Sequence, residues 1–416
     1  MLGTHADWRR SVTRAGIRRP LAPSEKIHAG REAYIGYTVR AVGRLDEAAL
    51  AAAYEAVCRS YPQLTARIDT DDDGPVLAGS DARPQVGFRD GDLDRPLTGL
   101  ELDQRRSLSA LHVVRDGDEA SVCLAVQHSI ADAHHAIEVL TALWSGYTDL
   151  VDGVPVDLPR HPYPRSLEDL LAERGIHPAA PAPAAAPAPS PRQPAPPPEP
   201  VVRHVVQHRL STAQTAALVE RAHREHVTVN GLLSGAILLA EAEIRGLPLT
   251  DLLYRYTVNL RSRLTPPVGA TEGTVVLGGV GFRATDAVAP DAVAIGRAIG
   301  EQLRAGLADG SIQRSLLDML SGPGPAARPW EQGPAPAVVS MMNWGVLPPM
   351  RTPAGLRLTN FHSASRIREA VALGGYVVST FDGRVGIDLA WPDGDPELPR
   401  RIDLLREQLG RVTRDR

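Results

Sequence analysis

The sequence predicts an α/β protein in two parts, and three observations carry that prediction. Short runs of strand length are followed repeatedly by segments with apolar residues every three or four positions, the spacing of a half-buried helix. The chain has 416 residues, more than one ordinary hydrophobic core organises, so two domains are the natural division. Residues 177–200 are dominated by Ala and Pro, with Pro181, Pro183, Pro187, Pro189 and Pro191 closely spaced. Such a segment packs no core and favours extended conformations. It reads as a surface linker between an N-terminal half, 1–176, and a C-terminal half, 201–416.

In the first half, residues 21–26 read as a loop or helix cap, and 34–42 alternate as a strand. Leu45 and Asp46 open an amphipathic helix with Leu50, Tyr54, Val57 and Tyr61 on one face. Residues 62–68 are expected to form a strand, and the Asp- and Gly-rich stretch 69–85 a turn. Residues 108–114 and 122–126 read as paired strands joined by a hairpin turn at 115–119.

The second of these strands runs into Gln127-His128-Ser129-Ile130-Ala131-Asp132-Ala133, and then into a helix marked by Ile137, Leu140 and Trp144. A turn between a strand end and a helix start is held by rigid elements on both sides, a good place for chemistry. His128 can exchange a proton near neutral pH. A lone histidine after a buried strand is more often structural, and Asp132 is well placed to be a helix N-cap. His128, His134 and His135 with Asp132 also make a ligand-rich set. However, His134 and His135 are adjacent and point ~100° apart on a helix, and the spacing fits no standard zinc pattern. Metal binding therefore ranks below proton transfer.

In the second half, 201–210 reads as one strand. Ser211 to Gln214 resembles a capping box opening a helix, and 228–240 is a strongly apolar, buried helix. Residues 254–258 form a strand ending in Asn259-Leu260-Arg261-Ser262-Arg263; arginines at a strand end are commonly just solvated. Residues 271–281 are a glycine-rich strand region, 292–308 a helix and 338–346 a strand entering a turn at Asn343-Trp344-Gly345. Residues 374–381 and 385–391 form a hairpin around Asp382-Gly383, and 396–412 a last helix.

A net charge of −4 does not favour nucleic acid or an anionic membrane surface as a partner. No run approaches the ~18 apolar residues of a membrane span, and residues 1–10 lack the apolar core of a secretory signal. Two cysteines, Cys58 and Cys123, suit a reducing compartment. A soluble cytoplasmic protein is expected, as a monomer.

The His128-x-x-x-Asp132 pattern at a strand–helix junction resembles the His-His-x-x-x-Asp-Gly motif of the chloramphenicol acetyltransferase-like acyltransferases. That superfamily includes nonribosomal peptide condensation domains, wax ester synthases and the polyketide-associated (Pap-type) acyltransferases, to which the paired histidines after the motif bring this chain closest. Gln127 stands where the motif has its first histidine, and Ala133 where it has glycine. Gly43-Arg44-Leu45-Asp46, Tyr61-Pro62-Gln63-Leu64 and Val227-Thr228-Val229-Asn230 are similar to other stretches of the same superfamily.

The resemblance implies two similar halves, each a mixed sheet flanked by helices, set in a V with a central solvent channel. It implies a catalytic base at His128, and an Arg261–Asp132 ion pair that holds the turn, with Arg263 as the alternate partner. Asn343 and Gln127 become candidates for oxyanion or site support. No metal and no cofactor are implied. The substrates would be an acyl thioester, on coenzyme A or a phosphopantetheinyl acyl carrier protein, and the hydroxyl of a polyketide, lipid or other secondary metabolite. Two alternatives stand beside this O-acyltransferase: a stand-alone, amide-forming condensation enzyme, and a silent scaffold or carrier-docking protein.

Overall fold

A computed structural model describes residues 17–179, 199–321, 336–368 and 374–414. The residues expected to lack a signal (1–10) and nearly all of the expected linker (180–198) lie outside the described residues.

The first half runs β1 (Arg18–Pro20), α1 (Pro23–Gly30), β2 (Tyr34–Val42), α2 (Glu47–Ser60), β3 (Arg67–Asp71), β4 (Gly74–Ala78), β5 (Gln85–Asp90), β6 (Ser109–Asp116), β7 (Glu119–Gln127), α3 (Ala133–Val151) and α4 (Leu167–Ala172). The second runs β8 (Pro200–His204), β9 (Val206–Arg209), α5 (Thr212–Arg224), α6 (Val229–Arg245), β10 (Leu252–Asn259), β11 (Leu277–Phe282), α7 (Ala292–Ala308), α8 (Ser311–Ser321), β12 (Ala337–Val346), β13 (Arg357–Arg368), β14 (Gly375–Phe381), β15 (Arg384–Ala390) and α9 (Leu398–Arg414).

Two six-stranded sheets, each flanked by helices, make the α/β architecture. One has the order β5-β6-β7-β2-β13-β8, the other β11-β10-β12-β14-β15-β9. A small third sheet, β1-β4-β3, lies apart from both. In the first large sheet β7 is central and buried along almost its whole length, which is why its sequence reads as an apolar run instead of alternating. Its helix-facing residues share one core with Leu50, Tyr54 and Val57 of α2 and Ala136, Leu140, Leu143, Trp144 and Tyr147 of α3. Those α3 positions recur at three and four residues, the stripe an amphipathic helix buries.

The second core is built around α6, whose Thr228 N-cap accepts from Gly231 N at 2.9 Å. Here α6 crosses α7 with backbones nearly touching: a Cβ placed on Gly235 would lie 2.5 Å from the Ala292 carbonyl oxygen.

Three expectations are corrected. Pro62–Leu64 is a single 3₁₀ turn and not the start of a strand; proline's fixed φ suits the first position of a helical turn. The stretch expected to be a turn at 69–85 contains the β3–β4 hairpin, Asp71 pairing with Gly74; the turn residues occupy only its tip. The single strand expected at 201–210 is two: β8 pairs with β13 in the first sheet, and β9 pairs with β15 in the second. An unbroken β pattern carries no mark of which sheet it joins.

Candidate active site

The turn after β7 is fastened at its first residue, where His128 N donates to the Ala33 carbonyl at 2.7 Å. The His128 ring contacts the Ala131 carbonyl through Nδ1 at 3.0 Å. A carbonyl only accepts, so Nδ1 carries the proton and the lone pair is on Nε2. The half-buried ring stacks on His28 of α1, centroids 4.1 Å apart and planes 27° from parallel. Burial lowers the His128 pKa, against the opposing pull of Asp132 and of the Ala131 hydrogen bond. His28 is held well below its ordinary value by burial first, and then by His128 and Arg31. Near neutral pH both rings are therefore uncharged.

Asp132 is fully buried and both of its carboxylate oxygens accept hydrogen bonds. Oδ1 caps α3 by accepting from His135 N at 3.1 Å. Oδ2 accepts from Arg261 Nη1 at 2.7 Å and from Val276 N at 2.8 Å. Its own N–H donates to the Thr274 carbonyl at 2.7 Å. Burial alone would raise its pKa, but the charge and hydrogen bond of Arg261 and the Val276 N–H outweigh burial and hold it below the usual carboxylate value. The guanidinium is itself fixed, Nε donating to the Ala270 carbonyl at 3.0 Å. The structure thus brings Asp132 and Arg261 together, and Arg263 is an exposed residue on the same short turn. Ala133 is the first residue of α3 and is not among the positive-φ positions, so nothing in this turn needs the freedom of the motif's glycine.

The two support candidates are placed differently. Gln127 is fully buried. Its Oε1 accepts from Ser129 N at 2.5 Å, while Nε2 donates to Gln104 Oε1 at 3.0 Å and to the His28 carbonyl at 3.3 Å. It braces the turn from within the first half. Asn343 has its amide committed elsewhere: Nδ2 donates to Asn230 Oδ1 at 2.7 Å, and Oδ1 accepts from Gly345 N at 2.8 Å. It stabilises the irregularity near the end of β12.

His135 is bound between the Gly273 carbonyl, 3.0 Å from Nδ1, and Gln63 Nε2, 3.0 Å from Nε2. His134 instead lines a cleft of about 480 Å³ with Ile137, Arg261, Val268, Trp344 and Pro348, where α3 faces residues of the second half. Among the described residues, no three His, Cys, Asp or Glu side chains are grouped to hold a metal ion.

Sequence reasoning missed His28, Thr274 and Val276. The last two act through backbone groups, which leave no side-chain signature. His28 gave no signal of its place beside the turn, since His112 lies nearer to it in sequence.

Comparison with known proteins gives the class first, as a fold shared with condensation domains and an O-acetyltransferase. The fold is that of the first condensation domain of the calcium-dependent antibiotic synthetase (TM-score 0.66, 16% identity, covering 96% of this chain and 97% of that one). It is also that of a trichothecene 15-O-acetyltransferase from Fusarium sporotrichioides (TM-score 0.64, 13% identity, 95% and 94% covered).

The chain belongs to the phthiocerol/phthiodiolone dimycocerosyl transferase family. It is 33% identical over 409 residues to the transferase of that name from Mycobacterium ulcerans, covering 94% of this chain and 95% of that protein. To the one from Mycobacterium tuberculosis H37Rv it is 30% identical over 390 residues, with 89% and 91% covered. The family model for the phthiocerol/phthiodiolone dimycocerosyl transferase C-terminus matches residues 199–390. The structure of polyketide synthase associated protein 5 from Mycobacterium tuberculosis superposes with a TM-score of 0.78 at 29% identity, covering 95% of this chain and 98% of that one.

Proposed function

We propose that this acyltransferase moves an acyl group from a thioester, on coenzyme A or an acyl carrier protein, to the hydroxyl of a lipid or polyketide-derived alcohol, with His128 as general base. One observation carries the reading: the base of the motif is a neutral imidazole whose Nδ1 proton is tied to the Ala131 carbonyl, which leaves Nε2 as the acceptor. The acceptor alcohol gives its proton to Nε2 as its oxygen attacks the thioester carbonyl. The tetrahedral intermediate collapses with loss of the C–S bond, and the imidazolium returns the proton to the departing thiolate. A thioester is already activated, so no acyl-enzyme is required. Asp132 and Arg261 hold the turn and touch no reacting atom.

The relatives' name, dimycocerosyl transferase acting on phthiocerol or phthiodiolone, supports transfer to a lipid hydroxyl. Among the described residues no single helix is long and apolar enough to cross a membrane, and Cys58 and Cys123 are both free thiols. We place the reaction in the cytoplasm, with the donor and acceptor as the partners and no cofactor.

The test is a screen of acyl-CoA and acyl-carrier donors against alcohols and amines. Thiol release is the readout, and mass spectrometry separates ester from amide. The expected product is an ester. His128→Ala should lower kcat by ~10²–10⁴-fold, the usual worth of general-base help, and leave the melting curve near that of the wild type. A purified His128→Ala protein that keeps most of its activity removes the proposed base.

A further inference from the structure

Six tyrosines in this chain are buried to 1% exposure or less: Tyr34, Tyr37, Tyr54, Tyr147, Tyr254 and Tyr376. Buried phenols normally find a partner for the hydroxyl, and five of the six do. Tyr34 donates to the Ser107 carbonyl at 2.8 Å, and Tyr54 meets Ser109 Oγ at 2.6 Å. Tyr147 accepts from Asp46 N at 3.0 Å, Tyr254 meets Ser234 Oγ at 2.6 Å, and Tyr376 donates to Glu241 Oε1 at 2.6 Å. Tyr37 is the exception. Among the described residues its Oη meets no donor or acceptor, yet it is not among the buried polar atoms sealed from solvent. What little surface this residue keeps therefore includes its hydroxyl.

The sheet register relates Tyr37 to the base. Ile35 pairs with Val126 and Tyr37 with Leu124. Side chains alternate across a strand, so residues 35, 37, 124 and 126 share one face, and His128 follows directly on the end of β7. His128 N is bonded to the Ala33 carbonyl, which sets the base four residues from Tyr37 along the strand direction, roughly 13 Å between backbones at ~3.3 Å per residue. That separation leaves room for an attacking oxygen and a carbonyl between the two side chains.

The Tyr37 ring lies 5.0 Å from that of Trp344, which lines the cleft between the halves. The Tyr37 phenol is raised well above its ordinary value by burial and then by the negative charge of Asp132. The second cause marks Tyr37 as a neighbour of the Asp132 turn, and both keep the phenol protonated at any working pH.

We propose that Tyr37 is a catalytic residue of the acyl transfer, its hydroxyl donating a hydrogen bond to the thioester carbonyl oxygen as that oxygen gains negative charge. This fills the role that Asn343, committed to Asn230 and Gly345, leaves open. It rests on His128 being the base, since the donor belongs on the far side of the carbonyl from that ring. A phenol held by packing on Trp344 is already oriented before substrate arrives, the condition under which such a donor is most effective.

The experiment uses the full chain with Tyr37→Phe, which keeps the ring and its packing on Trp344. Turnover is measured with decanoyl-CoA and 1-decanol, and the carbonyl stretch of bound [1-¹³C]decanoyl-CoA by isotope-edited infrared spectroscopy. Removing one such donor typically costs ~10²–10³-fold in kcat. The expected result is a fall of about 10²-fold in kcat, KM within about twofold, and a carbonyl band at higher frequency than in the wild type. The melting temperature should not fall, because the hydroxyl removed has no partner among the described residues.

Two outcomes overturn the proposal: an unshifted carbonyl band, or wild-type kcat in Tyr37→Phe while His128→Ala is inactive. A loss of melting temperature with kcat unchanged assigns Tyr37 to packing and also overturns it. If His128→Ala stays active, the general-base reading fails by itself, and the infrared band still decides for or against Tyr37.

Discussion

Replacing Asp132 by alanine should unfold much of the protein, and the structure sets the scale. The substitution leaves the Arg261 guanidinium, 6% exposed, without its counter-charge. Breaking a buried ion pair from one side costs about 3–5 kcal/mol, mostly for the stranded charge. It also removes the cap of α3, since Oδ1 no longer accepts from His135 N, at about 1 kcal/mol. Together these come to about 4–6 kcal/mol, a large share of the 5–15 kcal/mol that about spans the stability of folded domains. Soluble yield and activity should fall together. The pair itself is isolated by a double-mutant cycle of Asp132→Ala, Arg261→Ala and the double variant, followed by urea unfolding at pH 7.5. The double variant has no stranded charge, so its loss should be smaller than the sum of the two single losses by about 2–3 kcal/mol, the upper part of the range for contacting residues. If the singles add to within about 0.5 kcal/mol, as independent sites do, the buried pair is not what holds this turn.

Two further predictions concern the cores and the pH response. Gly235→Ala should destabilise the second half by about 2 kcal/mol or more, because its Cβ would sit 2.5 Å from the Ala292 oxygen and α6 and α7 would have to separate; a denaturation midpoint equal to wild type refutes that close crossing. On acidification, burial holds His135 and His362 down to about 4, so between pH 6.5 and 4 the unfolded chain binds more protons at these sites and stability falls as pH falls. Asp388, pushed up to about 6 by burial, binds its proton earlier in the fold than when unfolded and opposes them over much of the same window. Two histidines against one carboxyl leave a net loss of about 1 kcal/mol per pH unit near pH 5. The urea midpoint should drop from pH 7 to 4.5, and more steeply in Asp388→Asn; a flat or rising midpoint contradicts the sign.

The parts of this molecule that were legible in sequence are those specified locally. The helix from 292 to 308, the hairpin around Asp382-Gly383 and the capping box at Ser211 stand where their patterns put them, since period, turn chemistry and cap each act within a few residues. The proximity of Asp132 and Arg261, 129 positions apart, was readable only because a resemblance supplied it. Residues 357–368 gave no strand signal that was recognised, although β13 is the longest strand in the first sheet and pairs with β2. Its polar, mixed composition suits a strand lying between two neighbours, where partners and not propensity decide pairing. Gln127 was legible as a departure but not in its consequence: the amide replaces an imidazole by bonding backward to His28 and Gln104, contacts that exist only once α1 is packed beside the turn.

The same long-range pairing explains why the site needs both ends of the chain. His128 is carried by a sheet whose last two strands, β13 and β8, come from beyond residue 199. Asp132, four residues later, receives Arg261 and Val276 N–H and gives its own N–H to Thr274. Glu25 joins the same cluster, accepting from Thr274 Oγ1 at 3.1 Å and from both terminal nitrogens of Arg19. A second tie lies away from the turn, where Asp388 of β15 accepts from Ser363 N at 2.6 Å and from Gln207 Nε2 at 2.8 Å. Each tie buries polar groups that lose a partner when the parts it joins separate, and a buried group left unpaired is costly. The geometry of the base is therefore set cooperatively: loosening either tie moves the turn that holds the His128 ring as well as the cleft beside it.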